Sequence, residues 1–224
     1  MCGRFVQAHS AEEYALHFGA TEVLADPQAP SWNVAPTDRV YAVSSHEGHR
    51  SLGSFRWGLV PWFADSPKVG SRHINARAET AATSPVFKDS FHRKRCLIPA
   101  DGFYEWKAMD QGGKLAHFVH APDGSPLALA GLWASWKDPG GERLTTCTII
   151  TTTPNEVVAP IHDRMPAVLP AEAWNRWLDP HNADTKGLRA LLGPAPDDAL
   201  THHPVSSLVN SVKNNVAELI EPLR

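Results

Sequence analysis

The sequence predicts an α+β fold with an antiparallel, barrel-like β core and short peripheral helices, and three observations carry that expectation. Strand-like runs follow one another through short Gly-containing turns, as hairpins do. Helical patterns are few and brief. Strands and long helices do not alternate, as a doubly wound parallel sheet would require. At 224 residues the chain suits one large domain, expected to occupy residues 1–224.

Taken in order, Ser10-Ala11-Glu12-Glu13 is a capping box that opens a helix to about Phe18. Residues 20–37, rich in Pro and Ala, read as an irregular connection. Arg39–Ser44 and Leu52–Trp57 read as strands. Ser84-Pro85 supplies an N-cap and a proline at the first helical position, opening a helix through about His92. Strands follow at Gly102–Ala108, Leu115–His120 and Leu127–Trp136, separated by the turns Gln111-Gly112-Gly113 and Pro122-Asp123-Gly124. Pro139-Gly140-Gly141 turns into Arg143–Thr152, a β-branched run typical of a buried strand. Helices close the pattern at Ala171–Leu178 and Thr185–Leu192, the second stopped by Gly193-Pro194.

The 42% hydrophobic and 20% charged content is that of a soluble globular protein. No apolar run approaches the roughly 20 residues that span a bilayer, and no secretory leader opens the chain, so no membrane partner is expected. Three widely spaced cysteines, Cys2, Cys96 and Cys147, argue against a disulfide framework and fit a reducing cytoplasm. The formal net charge of −3 exerts no global pull toward nucleic acid. Between Ser66 and Cys96, however, seven Lys/Arg (68, 72, 77, 88, 93, 94 and 95) stand against Glu79 and Asp89, a local +5. That segment is either an electrostatic footprint for phosphates or a solvated surface.

Met1-Cys2-Gly3-Arg4-Phe5 sets a cysteine one peptide bond from the amino terminus. Initiator methionine is trimmed when the next side chain is small. Trimming would leave a 1,2-aminothiol, an α-amine titrating near ~8 beside a thiol near ~8.5. An aldehyde can condense with that amine to a Schiff base, and the thiol can then close a five-membered thiazolidine. A thiolate alone could instead attack an acyl group, as in hydrolases with an N-terminal nucleophile, or Cys2 could be an incidental second residue.

Other polar residues sit where chemistry could use them. On the Gly102–Ala108 strand, Phe103, Glu105 and Lys107 share one face and Tyr104 and Trp106 the other. With the Phe103 face inward, Glu105 is desolvated and its pKa rises, suiting proton transfer near neutral pH; the alternative is a Glu105–Lys107 surface pair. His162 lies in the proline-bracketed loop Pro160-Ile161-His162-Asp163-Arg164-Met165-Pro166, as an acid/base group, an anion contact or neither. Asn75 could hydrogen-bond a substrate or serve a turn. Twelve histidines invite a metal. With neither Cys-x-x-Cys nor His-Glu-x-x-His present, and His117 and His120 facing opposite sides of their strand, none is expected. No glycine fingerprint for phosphate is present, and no cofactor is expected. Trp57 and Trp62 flank the basic segment; exposed, they would form a stacking platform for single-stranded nucleic acid, and buried, they would be core.

Six motifs run in order from residue 2 to about residue 170: Met1-Cys2-Gly3-Arg4-Phe5, Asn33-Val34-Ala35-Pro36-Thr37, Trp57-Gly58-Leu59-Val60-Pro61, Asn75-Ala76-Arg77-Ala78-Glu79, Cys96-Leu97-Ile98-Pro99-Ala100-Asp101-Gly102-Phe103-Tyr104-Glu105-Trp106 and His162-Asp163-Arg164-Met165-Pro166. Together they resemble the SRAP family (SOS response-associated peptidase) of abasic-site processing proteins. Trp32 stands where that family has a tyrosine and Asp38 where glutamine is common. The resemblance implies binding of single-stranded DNA at an abasic site and covalent linkage of its ring-opened aldehyde to Cys2 after removal of Met1, shielding the lesion in the DNA damage response. Cys2 would supply amine and thiol, Glu105 would assist ring opening and proton transfer, His162 would act on the sugar hydroxyl or Schiff-base step, and Asn75 would hold the linkage. Arg4, Arg77 and Arg164 would hold phosphates, and Trp57, Trp62 and Trp106 would meet bases. A monomer in the cytoplasm, associated with DNA, is expected. Two alternatives remain: a cysteine peptidase with Cys2, His162 and Glu105 as nucleophile, base and orienter, acting on other peptides or on Met1 alone, and a non-catalytic module for single-stranded DNA.

Overall fold

The computed structural model describes residues 2–223; Met1, whose removal the sequence predicts, lies outside the described residues. Along the chain run β1 (Phe5–Gln7), α1 (Ala11–Phe18), β2 (Glu22–Val23), β3 (Ser31–Val34), β4 (Arg39–His46), β5 (His49–Trp57), β6 (Asn75–Arg77) and α2 (Lys88–Arg93). There follow β7 (Arg95–Ala100), β8 (Gly102–Ala108), β9 (Lys114–His120), β10 (Leu127–Lys137), β11 (Arg143–Thr152), β12 (Met165–Pro166), α3 (Ala171–Leu178), α4 (Thr185–Ala190) and β13 (Thr201–Pro204).

Five of these strands close into a barrel. In the order β5-β4-β7-β10-β11 each pairs antiparallel with the next, and β11 returns to pair parallel with β5 through Thr146↔Arg56 and Cys147↔Trp57. Period-two alternation separates the two faces. Val40, Ala42, Phe55, Trp57, Ile98, Leu129, Cys147 and Ile149 fall in one buried cluster, inside the barrel. Tyr41, Val43, Leu97, Ala130, Leu132 and Ile150 fall in another, which they share with Tyr14 and Phe18 of α1, Phe91 of α2 and Trp177 of α3. The short helices therefore cover the outside of the barrel. So narrow a lumen leaves no room at Gly131, where a Cβ would stand 2.8 Å from the Cys96 sulfur. The α+β expectation with a barrel-like core holds.

A second sheet, β13-β9-β8-β1-β3, caps the barrel. Its anchor is Gln7. The β4–β7 ladder pairs at Val43↔Leu97, and further along β7 Pro99 has no N–H to offer. Gln7 enters there, its Nε2 donating to Pro99 O at 2.7 Å and Tyr41 O at 3.0 Å while Tyr41 N–H donates to Oε1 at 2.9 Å. One buried amide thus meets three backbone groups that would otherwise cost roughly 1–3 kcal/mol each.

The capping box forms, and Gly19 closes α1 in the left-handed region at φ 62°. Residues 20–37 are not wholly irregular: β2 pairs with β5 and β3 with β1, so that short stretch is recruited by strands elsewhere in sequence. The Ser84-Pro85 signal makes a turn, with Lys88 N–H donating to Ser84 O at 2.8 Å, and the α-helix begins only at Lys88. Arg95, counted in the basic segment, is a core residue. Its guanidinium donates to Trp177 O and Phe91 O at 2.6 Å, His92 O at 2.8 Å and Asp179 O, taking up the open carbonyls where α2 and α3 end. No helix among the described residues is long and apolar enough to cross a membrane.

Candidate functional site

Three strand pairings bring four distant residues together. β1 runs antiparallel to β8 with Phe5↔Phe103 in register, and Tyr104 N–H donates to Arg4 O at 3.0 Å. Residues before Phe5 therefore run beside those after Phe103, which sets Cys2 near Glu105. β6 lies parallel to β11 with Asn75↔Ile149, and Asn75 Nδ2 donates to Cys2 O at 2.9 Å. β12 pairs with the end of β11 through Met165↔Thr152, so the loop before Met165 carries His162 to the same place. There His162 Nε2 lies 3.9 Å from Glu105 Oε2.

Burial sets the electrostatics. Glu105 is 2% exposed, and loss of solvent, with Asp163 adding repulsion, pushes its carboxyl up to about 7. The face reading for Phe103 and Glu105 holds, and the surface pair with Lys107 does not form the environment of this carboxyl. The Cys2 thiol is also wholly buried, and desolvation, followed by the neighbouring Glu105 charge, drives its pKa far above the ordinary thiol value. His162 is held below its usual pKa, chiefly by desolvation. Its Nδ1 accepts the Arg164 N–H at 3.0 Å, which needs that nitrogen unprotonated. Asp163 Oδ1, 2.9 Å from the same nitrogen, would favour the opposite state, but it is largely exposed and solvated. Nδ1 thus faces Asp163 and the Arg164 backbone, and Nε2 faces Glu105. The Asn75 Oδ1 is buried with no hydrogen-bond partner among the described residues, leaving an acceptor at the site. A cleft of about 540 Å³ opens at Glu105 and His162, lined also by Trp106, Lys114 and Asn210. Among the described residues no group of three or more His, Cys, Asp or Glu is arranged to hold a metal ion.

Residues 1–212 match the family described as SOS response associated peptidase (SRAP). The chain belongs to the SRAP family. Its relatives include abasic site processing protein YoqW of Bacillus subtilis, 43% identical over 222 residues and 99% of each chain. YedK of Escherichia coli, also called an abasic site processing protein, is 35% identical with both chains fully covered. HMCES of Gallus gallus carries the same description and is 35% identical over 87% of this chain and 66% of its own. Among solved structures, a protein from Bacteroides thetaiotaomicron shares the fold with a TM-score of 0.89 at 23% identity, both chains fully covered. One from Bordetella bronchiseptica gives a TM-score of 0.76 at 26% identity over 92% of this chain and all of its own.

The residues expected to touch DNA are placed very differently in this SRAP chain. Arg77 is exposed at the end of β6, two residues from Asn75. Trp62 is 69% exposed, edge-on to Phe63. Trp106 lines the cleft, its Nε1 donating to Asn210 Oδ1 at 2.7 Å. Trp57, by contrast, is 0% exposed; its Nε1 donates to Ile74 O at 2.9 Å and its ring packs edge-on to Phe5. It fills the barrel and presents no ring face to a base. Arg4 is half-buried and donates to Asn33 Oδ1 at 2.8 Å and Val209 O at 2.9 Å, tying the N-terminal segment to the C-terminal tail. Arg164 makes two hydrogen bonds to Glu79, at 2.6 and 3.0 Å, and a third to Thr151 O at 2.6 Å.

Lys114 and Asn210 line the cleft but were not singled out from the sequence. Asn210 belongs to a tail that Asn33 holds in place, its Nδ2 donating to Val209 O, Ser211 O and Asn214 O at 3.2, 3.0 and 2.9 Å. The available signal was the asparagine cluster Val209-Asn210-Ser211-Val212-Lys213-Asn214-Asn215, too polar to pack by itself.

Proposed function

We propose that this protein captures abasic sites in single-stranded DNA by closing a thiazolidine between Cys2 and the ring-opened sugar aldehyde. The observation that carries the reading is the convergence of Cys2, Asn75 and His162 on a buried carboxyl pushed up to about 7. The shared description of relatives that span the whole chain supports it.

After loss of Met1, the α-amine of Cys2 adds to the aldehyde carbon to give a carbinolamine. Protonated Glu105 gives its proton to the departing hydroxyl, and water leaves as the imine forms. The Cys2 sulfur then adds to the carbon of the protonated imine while its own proton passes to ionised Glu105, which returns to the acid form it began in; the nitrogen keeps its proton. The ring closes with net loss of one water. A carboxyl that titrates near neutrality holds both forms in quantity, so it can serve both transfers. His162, with Nε2 beside the carboxyl, acts on the sugar oxygen during ring opening, and Asn75 fixes the Cys2 backbone. Strand binding draws on Arg77 and the ring faces of Trp62 and Trp106.

The same groups support removal of Met1 by this chain itself. A broader cysteine peptidase is disfavoured, because a wholly buried thiol whose pKa burial drives upward reacts more readily with a bond held beside it, as at Met1, than with an unrelated peptide.

Incubation with an abasic oligonucleotide, read by denaturing gel and intact mass, tests the proposal. Wild type is expected to give a heat-stable adduct with a mass equal to DNA plus protein lacking Met1, minus one water. Cys2→Ala keeps an amine and should give an adduct only when borohydride traps the imine. A stable adduct from Cys2→Ala without reductant would overturn the thiazolidine.

A further inference from the structure

A second groove, about 600 Å³, is lined by Ala78, Glu79, Thr152, Lys186, Arg189 and Leu192 among others. It lies next to the candidate site through two connections. The segment that begins with Asn75 in β6 continues through Arg77 to Ala78 and Glu79 in the groove wall, no more than about 13 Å of chain. Arg164, two residues from His162, reaches Glu79 from the other side. The volume falls within the roughly 300–1,000 Å³ of small-ligand sites.

The charges in it are of one kind once the ion pair is counted. Arg164 holds the Glu79 carboxyl below its ordinary pKa, so Glu79 is ionised and its charge is met. Lys186 and Arg189 remain, both exposed and three residues apart on the same face of α4. Arg189 uses one N–H on Glu79 O at 3.3 Å and has further donors in its fork. Beneath these cations, Ala78 and Leu192 provide an apolar floor. The helix is fixed from behind: Asp184 accepts the Gly187 N–H at 2.9 Å and pairs with Arg176 at 2.9 Å. A Cβ at Gly187 would collide with both members of that pair, so glycine leaves room for the pair to close against the helix. Cations over an apolar floor match the chemistry of a sugar–phosphate chain, and residues 185–193 lie outside all six motifs.

We propose that this groove binds the phosphates of the same DNA strand where it leaves the cleft, with Lys186 and Arg189 as the phosphate contacts. The proposal rests on the abasic-DNA reading. Its test compares wild type with Lys186→Ala/Arg189→Ala, by fluorescence anisotropy, on single strands of roughly 4 and roughly 16 nucleotides, the limits of a compact single-strand site. On the long strand the double variant should bind roughly 2- to 30-fold more weakly, and its slope of log affinity against log salt should be shallower by about 1.4, at ~0.7 per phosphate. On the short abasic strand, linkage at Cys2 should match wild type. Equal affinity and slope for both proteins on the long strand would overturn the groove. If wild type binds neither strand in a salt-dependent way, the abasic-DNA reading itself falls, and that result is distinct from a groove that contributes nothing.

Discussion

Replacing Glu105 with glutamine removes an ionisable group from a place where ionisation is costly, and the cost can be read as a pH-dependent stability. The carboxyl ordinarily titrates near 4.5 and is pushed up to about 7 by burial. Between those values the folded state keeps a proton that the unfolded chain has released. Wild-type stability must therefore fall as pH rises through this window, and be level with respect to Glu105 below about 4.5 and above about 7. At about 1.4 kcal/mol per tenfold change in proton concentration, the ionised carboxylate costs the folded state roughly 3 kcal/mol above pH 7. Glutamine is nearly isosteric and does not titrate. The difference in Tm, variant minus wild type, should thus grow by roughly 6–12 °C between about pH 4.5 and pH 7, given ~2–4 °C per kcal/mol for a chain of this size. Thermal unfolding by circular dichroism across that range measures it, and taking the difference between proteins cancels every group they share. The same variant should form the covalent adduct roughly 10²- to 10⁴-fold more slowly. Parallel Tm profiles would refute the desolvation account, and with it the reason to assign proton transfer to this residue.

Two further outcomes follow from pairings in the fold. Glu79→Gln should release the Arg164 guanidinium from its carboxylate and raise affinity for single-stranded DNA, steepening the salt slope by about 0.7 for one added phosphate contact; because Glu79 is half-exposed, stability should change by less than about 1 kcal/mol. An unchanged slope in anisotropy titrations would remove Arg164 from the phosphate contacts. Arg95→Met should cost at least about 3 kcal/mol in urea unfolding, since several buried carbonyls at the ends of α2 and α3 lose a charged donor; a loss under about 1 kcal/mol would mean that water replaces it.

Local rules made much of this legible. The Ser10 capping box, the glycine turns and the β-branched run of β11 each act within a few residues, and each appears where its pattern lies. Glu105 was legible for the same reason: a period of two and an inward Phe103 are enough to bury it. What the pattern cannot carry is competition between distant groups for one side chain. Arg4 and Arg164 look like free cations in sequence, yet carbonyls of the tail and the Glu79 carboxylate claim them. Trp57 sits in an aromatic run beside the basic segment, but closure of β11 on β5 turns it into the lumen. Asn210 enters the cleft because Asn33, Arg4 and Trp106, all far away in sequence, bind it or the backbone beside it. The α2 start was misplaced because Ser84-Pro85 is equally good at opening a turn.

The two buried acids of the site also order the proposed reaction in time. Desolvation raises both the Cys2 thiol and the Glu105 carboxyl, and each negative charge would raise the other further. The resting site can therefore hold one anion at most, and the carboxyl, being the stronger acid, takes it. The thiol stays protonated, shielded from solvent and unreactive toward stray oxidants or acyl groups. Imine formation changes this, because a protonated imine holds a positive charge three bonds from the sulfur. A nearby cation favours the thiolate, and Glu105 is the group placed to accept its proton. The nucleophile of the second step is thus activated by the product of the first. A free aldehyde, rather than the protein alone, supplies the electrophilic carbon on which the ring closes, so under this proposal an N-terminal thiol buried in this way is suited to capture a lesion.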